Sequence, residues 1–329
     1  MSPAGGDDRA ASSVTVALIQ MTAGIEPEAN TALVCRLMGE AAARGAQWIA
    51  TPEMTVCLDS DPKRLLAHTH DEDEDPHLAR LCRHAAALGV TLLIGSMAVR
   101  AGTGDDGRQR LANRSFLVGP DGTIRARYDK VHLFDVSLSD GERYAESRLY
   151  RPGDRAVVAD AGFATLGLSV CYDLRFPALY RGLAEAGARI LTVPAAFTVP
   201  TGRAHWHVLL RARAIETGCF VVAPAQAGRH ADGRATYGHS LVVDPWGTVL
   251  LDAGPAEPET TPGVHLVALD LAAVDQARGR IPALTHARAV RVEGVAGQAA
   301  PGTPAAGGPA AADETPDEKP LRRHEGRER

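Results

Sequence analysis

The chain has 329 residues, 45% of them apolar, and a formal net charge of −5. That is material for one large domain or two ordinary ones; no run of about eighteen apolar residues is present to span a membrane, and no basic stripe suggests nucleic acid. Cys35, Cys57, Cys82, Cys171 and Cys219 are odd in number and free of C-x-x-C spacing, which argues against a disulfide framework or structural zinc and for a reducing cytoplasm.

Met1 to Ser13 is small and polar, without the apolar core of a secretory signal, and is expected to be a flexible N-terminus. Val14 to Gln20 reads as a strand, Glu28 to Ala43 as an amphipathic helix ended near Gly45, and Gln47 to Ala50 as a second strand. That strand delivers Thr51-Pro52-Glu53-Met54. A carboxylate there is either a turn residue or a functional group at a sheet edge, because Pro52 is a poor continuation of a strand. His70 to Asp75 is a charge run, expected to be the solvated start of the helix Pro76 to Ala87, on which Cys82 packs inward. It lacks the Gly turn and alternating ligands of a calcium loop, so no metal is expected. Val90 to Met97 is a buried strand. Arg114 to Val118 and Thr123 to Tyr128 form a hairpin around Gly119-Pro-Asp-Gly122. Lys130 follows the second arm, placed either as a surface lysine or as a functional cation, and the polar loop Ser137 to Ser147 carries Glu142 and Glu146.

Gly162 to Val170 reads as a strand ending at Cys171, and Ala178 to Gly187 as a helix. Cys171 would then sit on a tight strand-to-helix connection near the positive end of a helix dipole, where a thiol is exposed and its thiolate favoured. The alternative is a small buried hydrophobe. Arg189 to Pro194 is a strand leading to Phe197 and Thr198, Thr201 to Glu216 a long helix, and Phe220 to Pro224 and Ser240 to Asp244 are strands. Pro245-Trp-Gly247 turns the latter back into Thr248 to Asp252. Val264 to Asp270 is the last strand and Ala272 to Arg280 the last helix. From about Arg291 the chain is Ala, Gly and Pro and then charge, which cannot bury enough apolar surface to order itself. One domain over residues 14–290 is therefore expected, between a flexible 1–13 and a disordered 291–329. Strands interleaved with helices, and hairpins that exclude a purely parallel sheet, describe a mixed α/β layered fold.

Thr51-Pro-Glu53-Met, Tyr128-Asp-Lys130-Val-His-Leu-Phe and Ser169-Val-Cys171-Tyr-Asp-Leu-Arg-Phe-Pro177 resemble, in order and separation, the three signatures of the nitrilase or carbon–nitrogen hydrolase superfamily. Ala145-Glu146-Ser147 and Arg151-Pro-Gly-Asp154 match as well. Ala204-His-Trp206, Tyr237-Gly-His-Ser240 and Asp244-Pro-Trp-Gly247 look closest to its Nit-type branch, from which His207 departs where a glutamate is usual in animal members. The resemblance covers about Val14 to Arg288. It implies a four-layer α-β-β-α sandwich with mixed sheets, a homodimer assembled through the helices that follow Cys171, and no cofactor or metal.

It also implies roles. Cys171 would be the nucleophile, Glu53 the proton carrier and Lys130 the cation beside the tetrahedral anion, with the Tyr172 N–H as second donor. Glu146 would orient the substrate or the lysine. Arg175 would meet a substrate carboxylate or be tied to Asp173; Tyr172, Phe197 and Thr198 would line the pocket; His132 and Trp206 would be packing. The implied activity is cleavage of a small, carboxylated linear amide through a thioester with release of ammonia, of deaminated-glutathione or ω-amidase type. Hydrolysis of N-carbamoyl compounds or nitriles, or a non-catalytic scaffold, are the other readings, the last disfavoured because all three polar residues are present.

Overall fold

The computed structural model describes residues 13–137, 143–257 and 261–291. Apart from Ser13 and Arg291, the termini expected to be flexible or disordered lie outside them, as does Glu142. Chain order gives β1 (Ser13–Gln20), α1 (Pro27–Ala43), β2 (Trp48–Ala50), α2 (Pro62–Ala67), α3 (Pro76–Leu88), β3 (Thr91–Thr103), β4 (Gln109–Val118) and β5 (Ile124–Asp129). A short pair follows, β6 (Asp135–Ser137) and β7 (Arg143–Ala145), then β8 (Val157–Asp160), β9 (Thr165–Leu168), α4 (Pro177–Glu185), β10 (Ile190–Thr192), α5 (Val199–Thr217) and β11 (Phe220–Ala223). The hairpin β12 (Ala227–Arg229) and β13 (Ala235–Tyr237) precedes β14 (Leu241–Val243), β15 (Val249–Asp252), β16 (Gly263–Asp270) and α6 (Ala272–Arg280).

Two six-stranded sheets result, ordered β16-β1-β2-β3-β4-β5 and β8-β9-β10-β11-β14-β15. In both, the neighbours run antiparallel, parallel, parallel, antiparallel, antiparallel. Side chains that alternate along a strand go to opposite faces. On β1, Val14, Val16 and Leu18 join the core against the second sheet, while Ala17 and Ile19 join the core that includes Val34, Leu37 and Met38 of α1 and Leu78 and Leu81 of α3. Tyr180 and Leu183 of α4 and Trp206 and Leu210 of α5 cover the second sheet. The layers are α-β-β-α, the expected sandwich. Among the described residues no helix is long and apolar enough to cross a membrane.

The charge run departs from its reading. Glu72 is bound by Arg114 and Arg127 of the β4–β5 hairpin, and the buried Asp75 caps α3 by accepting from His77 N and Leu78 N, both at 2.9 Å. Two arginines distant in sequence thus tie Glu72, in the turn before α3, to the sheet, while Asp71, Asp73 and Glu74 stay exposed as expected.

Open α/β sheets carry sites where parallel strands end, and close backbone approach sets the geometry here. A Cβ on Gly95 would lie 1.9 Å from Thr51 O and 2.6 Å from Pro52 O. Gly95→Ala must therefore displace the backbone just before Glu53. Overpacking costs about 1–3 kcal/mol, and each of those lowers Tm by roughly 2–4 °C in a domain of this size. Thermal melts should show this, together with a loss of hydrolysis beyond what the remaining folded fraction explains.

Candidate active site

Glu53, Lys130 and Cys171 follow β2, β5 and β9, and the fold brings all three into one buried cluster at 4%, 3% and 8% exposure. Glu53 is held from both sheets. Its backbone carbonyl accepts from Gln226 Nε2 at 2.9 Å, its Oε2 from Ala196 N at 2.8 Å, and its Oε1 from Lys130 Nζ and Asn113 Nδ2, each at 2.9 Å. The Cys171 thiol, lining the same cavity, feels the charge of this carboxylate.

Lys130 is anchored by its backbone: its N donates to Asn113 O and its carbonyl accepts from Gly153 N, both at 2.9 Å. A Cβ on Gly153 would lie 2.2 Å from Asp129 O, so the glycine of Arg151-Pro-Gly-Asp154 is a requirement of this contact. Nζ also donates to Glu146 Oε2 at 2.8 Å, and Glu146 Oε2 takes Phe134 N at 2.7 Å. Glu146 thus lies beside the lysine, where the resemblance put it.

Cys171 takes φ +49°, a left-handed conformation that costs a non-glycine residue free energy and recurs at functional turns. Its N donates to Pro194 O at 2.9 Å. The turn is fixed by Asp173, fully buried, which accepts from Val170 N, Tyr128 Oη, His132 N and His132 Nδ1 at 2.7–3.0 Å. The His132 ring stacks on Phe176 with centroids 3.5 Å apart. His132 and Trp206, whose Nε1 donates to His239 O at 2.8 Å, hold structure, as expected.

Electrostatics corrects the reading of the thiol. Burial opposes charge on Glu53, but Lys130 and the donors around it hold its carboxyl below the ordinary 4.5. Burial also opposes charge on Lys130, and the Glu146 and Glu53 carboxylates overcome it, leaving the ammonium firmly protonated. Burial and the Glu53 charge push the Cys171 thiol well above 9.0, against the pull of Lys130. Cys171 is neither exposed nor a standing thiolate. A short 3₁₀ turn, Cys171–Arg175, separates it from the first turn of α4, and the nearest charge is a carboxylate.

A cavity of about 720 Å³ opens on this cluster and is lined by Tyr172, Phe197 and Thr198 as expected, and by Tyr150, Thr236 and Arg234 among others. Tyr172 meets Phe134 and Phe176 edge-on at 5.0 and 5.4 Å. Arg175 does not line this cavity. Its guanidinium lies 5.9 Å from the Tyr172 ring and 5.5 Å from the Phe197 ring, with Nη2 3.3 Å from His205 Nδ1. Neither reading of Arg175 matches, since Asp173 is committed elsewhere and the side chain supports two aromatic walls instead.

Asn113 and Gln226 were not singled out in the sequence, and Asp173 entered only as a partner for Arg175. Asn113 Nδ2 bridges Glu53 Oε1 and Glu146 Oε1 at 2.9 and 3.1 Å; its only signal is an amide beside Leu111 and Ala112, two wholly buried neighbours. Asn113→Leu keeps the volume and removes both donors. Its expected effect is at least a tenfold loss in kcat/KM, from hydrogen bonds to charged groups worth about 1.5–3 kcal/mol, with the acid limb of the pH profile moved upward because Glu53 loses a donor. A pH–rate series checks both.

Among the described residues, His207, His239 and Asp252 bring three potential metal ligands within 4.8 Å of one another. Both imidazoles already hydrogen-bond to Asp252, at 3.0 and 2.9 Å, and none of the three lines the cavity.

The fold thus sets a buried cysteine beside a carboxylate–ammonium pair between two stacked mixed sheets. The chain belongs to the carbon–nitrogen hydrolase family, whose pattern matches residues 15–279. It is 39% identical over 272 residues to the deaminated glutathione amidase of Synechocystis, covering 82% of this chain and 96% of that one. Among solved structures, the C. elegans NitFhit protein is similar with a TM-score of 0.74 at 32% identity, over 84% of this chain and 65% of that one. Saccharomyces cerevisiae Nit3, of branch 10 of the nitrilase superfamily, gives 0.70 at 25% identity, over 82% and 94%.

Proposed function

We propose that the chain is an amidase that hydrolyses a small carboxylated linear amide with Cys171 as nucleophile, Glu53 as proton carrier and Lys130 as oxyanion partner. The observation that carries this is the Glu53 carboxylate, which accepts from Lys130 Nζ at 2.9 Å and whose charge acts on the Cys171 thiol in the same buried cluster. Glu53 takes the thiol proton as Sγ adds to the amide carbon. The oxyanion forms beside Lys130 Nζ and the Tyr172 N–H. Glu53 returns the proton to the nitrogen as the C–N bond breaks. Ammonia leaves from a primary amide, or an amine fragment from a secondary one. Water, deprotonated by Glu53, then attacks the thioester; the acid departs and the proton goes back to sulfur. Glu146 keeps Lys130 charged and in place.

For substrate we propose deaminated glutathione, which names the activity of the Synechocystis relative, with α-keto acid ω-amides, which lack the second, distal carboxylate, as the second choice. The test offers both to purified protein and measures amine or ammonia release, with Cys171→Ala as control and intact mass to trap the thioester. Turnover lost in the variant and an acyl adduct on Cys171 are expected. Undiminished turnover by Cys171→Ala, or none of any carboxylated amide by the parent chain, would overturn the reading.

Two further parts of the reading concern setting. The five free cysteines fit a reducing cytoplasm. Val208 and Ile215 on α5, 67% and 55% exposed, suit burial in a homodimer built on α4 and α5.

A further inference from the structure

The reaction end of the cavity carries two carboxylates, Glu53 and Glu146, against one ammonium, Lys130. An anionic group on the substrate is repelled there and needs a cation elsewhere on the cavity wall. Arg175, outside the lining, does not supply it.

Arg234 does. It lines the cavity from the turn between β12 and β13, with its side chain one-third exposed. Its backbone N and its Nε both donate to the fully buried Asp232 carboxylate, at 3.0 and 2.6 Å. That clamp orients the guanidinium and uses its Nε; among the described residues no other group pairs with it, which leaves the Nη edge for a ligand. A planar fork held in this way matches a carboxylate by two parallel hydrogen bonds.

The hairpin that carries Arg234 is tied to the residues that place Glu53. Gln226, just before β12, donates to Glu53 O and accepts from Ala23 N at 2.9 Å. His230 bridges Ala23 O and Thr236 Oγ1 at 2.8 and 2.7 Å, and Tyr237 N donates to Phe197 O at 2.9 Å. The span from the thiol to the guanidinium is therefore fixed by the fold. Arg234 stands on the β12–β13 turn, whereas Glu53, Lys130 and Cys171 follow β2, β5 and β9, and all four line the one cavity. The volume, about 720 Å³, lies within the roughly 300–1,000 Å³ of pockets that enclose extended, drug-sized ligands.

We propose that Arg234, positioned by Asp232, forms a distal carboxylate subsite that takes the terminal carboxylate of the amine fragment of an elongated amide substrate. This rests on the amidase reading above and deepens it, since the enzyme would then select substrates by the distance between scissile carbonyl and far carboxylate.

The test compares deaminated glutathione with the same molecule whose glycine carboxylate is converted to the amide. The parent enzyme is expected to prefer the acid by at least tenfold in kcat/KM. Arg234→Ala should abolish that preference through a ten- to hundredfold rise in KM for the acid, and Arg234→Lys should restore it only in part. A preference that survives Arg234→Ala, or an equal loss on acid and amide, overturns the subsite. Calorimetric titration of deaminated glutathione into Cys171→Ala protein, with and without Arg234→Ala, separates this from catalysis. Arg234-dependent binding without turnover by the parent enzyme would sink the amidase reading and leave the subsite standing. Turnover of short ω-amides with no Arg234-dependent binding would do the reverse.

Discussion

Glu53→Gln should lower kcat/KM by about 10²–10⁴-fold, the usual contribution of a positioned general base, without lowering the reactivity of the thiol toward a simple alkylating agent. In the parent protein the Glu53 charge is a main cause that raises the Cys171 pKa, while Lys130 lowers it. Neutralising the carboxylate leaves the lysine unopposed, so the midpoint of iodoacetamide alkylation should move to lower pH even as turnover collapses. For the proposed mechanism the working form is carboxylate, ammonium and neutral thiol. Glu53 is held below 4.5 and the thiol above 9.0, so kcat/KM should stay level between those values and fall only outside them. One complication is visible in advance: every group facing the carboxylate is a donor, from Lys130 Nζ to Ala196 N. The new amide NH₂ must face one of them, which invites a shift of the side chain. Were alkylation and turnover to fall together, the substitution would have disrupted the turn, and the case for Glu53 as base would have to be made otherwise.

Much of this was legible in the chain, for a physical reason. Glu53, Lys130 and Cys171 each follow the end of a strand whose apolar run is plain in the sequence, and each is a polar residue where packing alone would place something else. Short apolar strands alternating with amphipathic helices mark a mixed α/β layered fold, and the α-β-β-α order of the layers was implied by the family signatures alone. What stayed hidden depended on contacts across the sequence. Asn113 lies 60 positions from Glu53 and Gln226 lies 173 from it, and nothing local distinguishes either from an ordinary amide. The state of Cys171 was misread for the same reason: the local pattern suggested a helix dipole, whereas the buried Glu53, remote in sequence, sets the charge it feels. The short elements β6, β7, β12 and β13 carry too few residues for periodicity to show. One of those hairpins brings Arg234 to the cavity.

Lys130→Met is expected to have the largest effect on stability, and its pH dependence identifies the cause. The side chain is 3% exposed and serves two carboxylates, whose side chains are 6% and 13% exposed. Methionine fills the space without supplying charge. Removing one partner of a buried ion pair costs about 3–5 kcal/mol, because the remaining charge is left in a poorly solvating place. In the parent protein the lowered Glu53 pKa gives a contribution that is present above 4.5 and lost as pH falls through the lower folded value. In the variant the same burial acts on Glu53 with no cation to oppose it, so its carboxyl is raised. A raised carboxyl is tolerated below the ordinary value and destabilises progressively as pH climbs through the folded one. The Tm difference between parent and variant should therefore be small near pH 4.5 and large near pH 8, and Glu146→Gln added to Lys130→Met should recover part of the loss at the higher pH. An equal Tm deficit at both pH values would mean that Lys130 contributes packing alone, and its place as the charged partner of the oxyanion would lose its support.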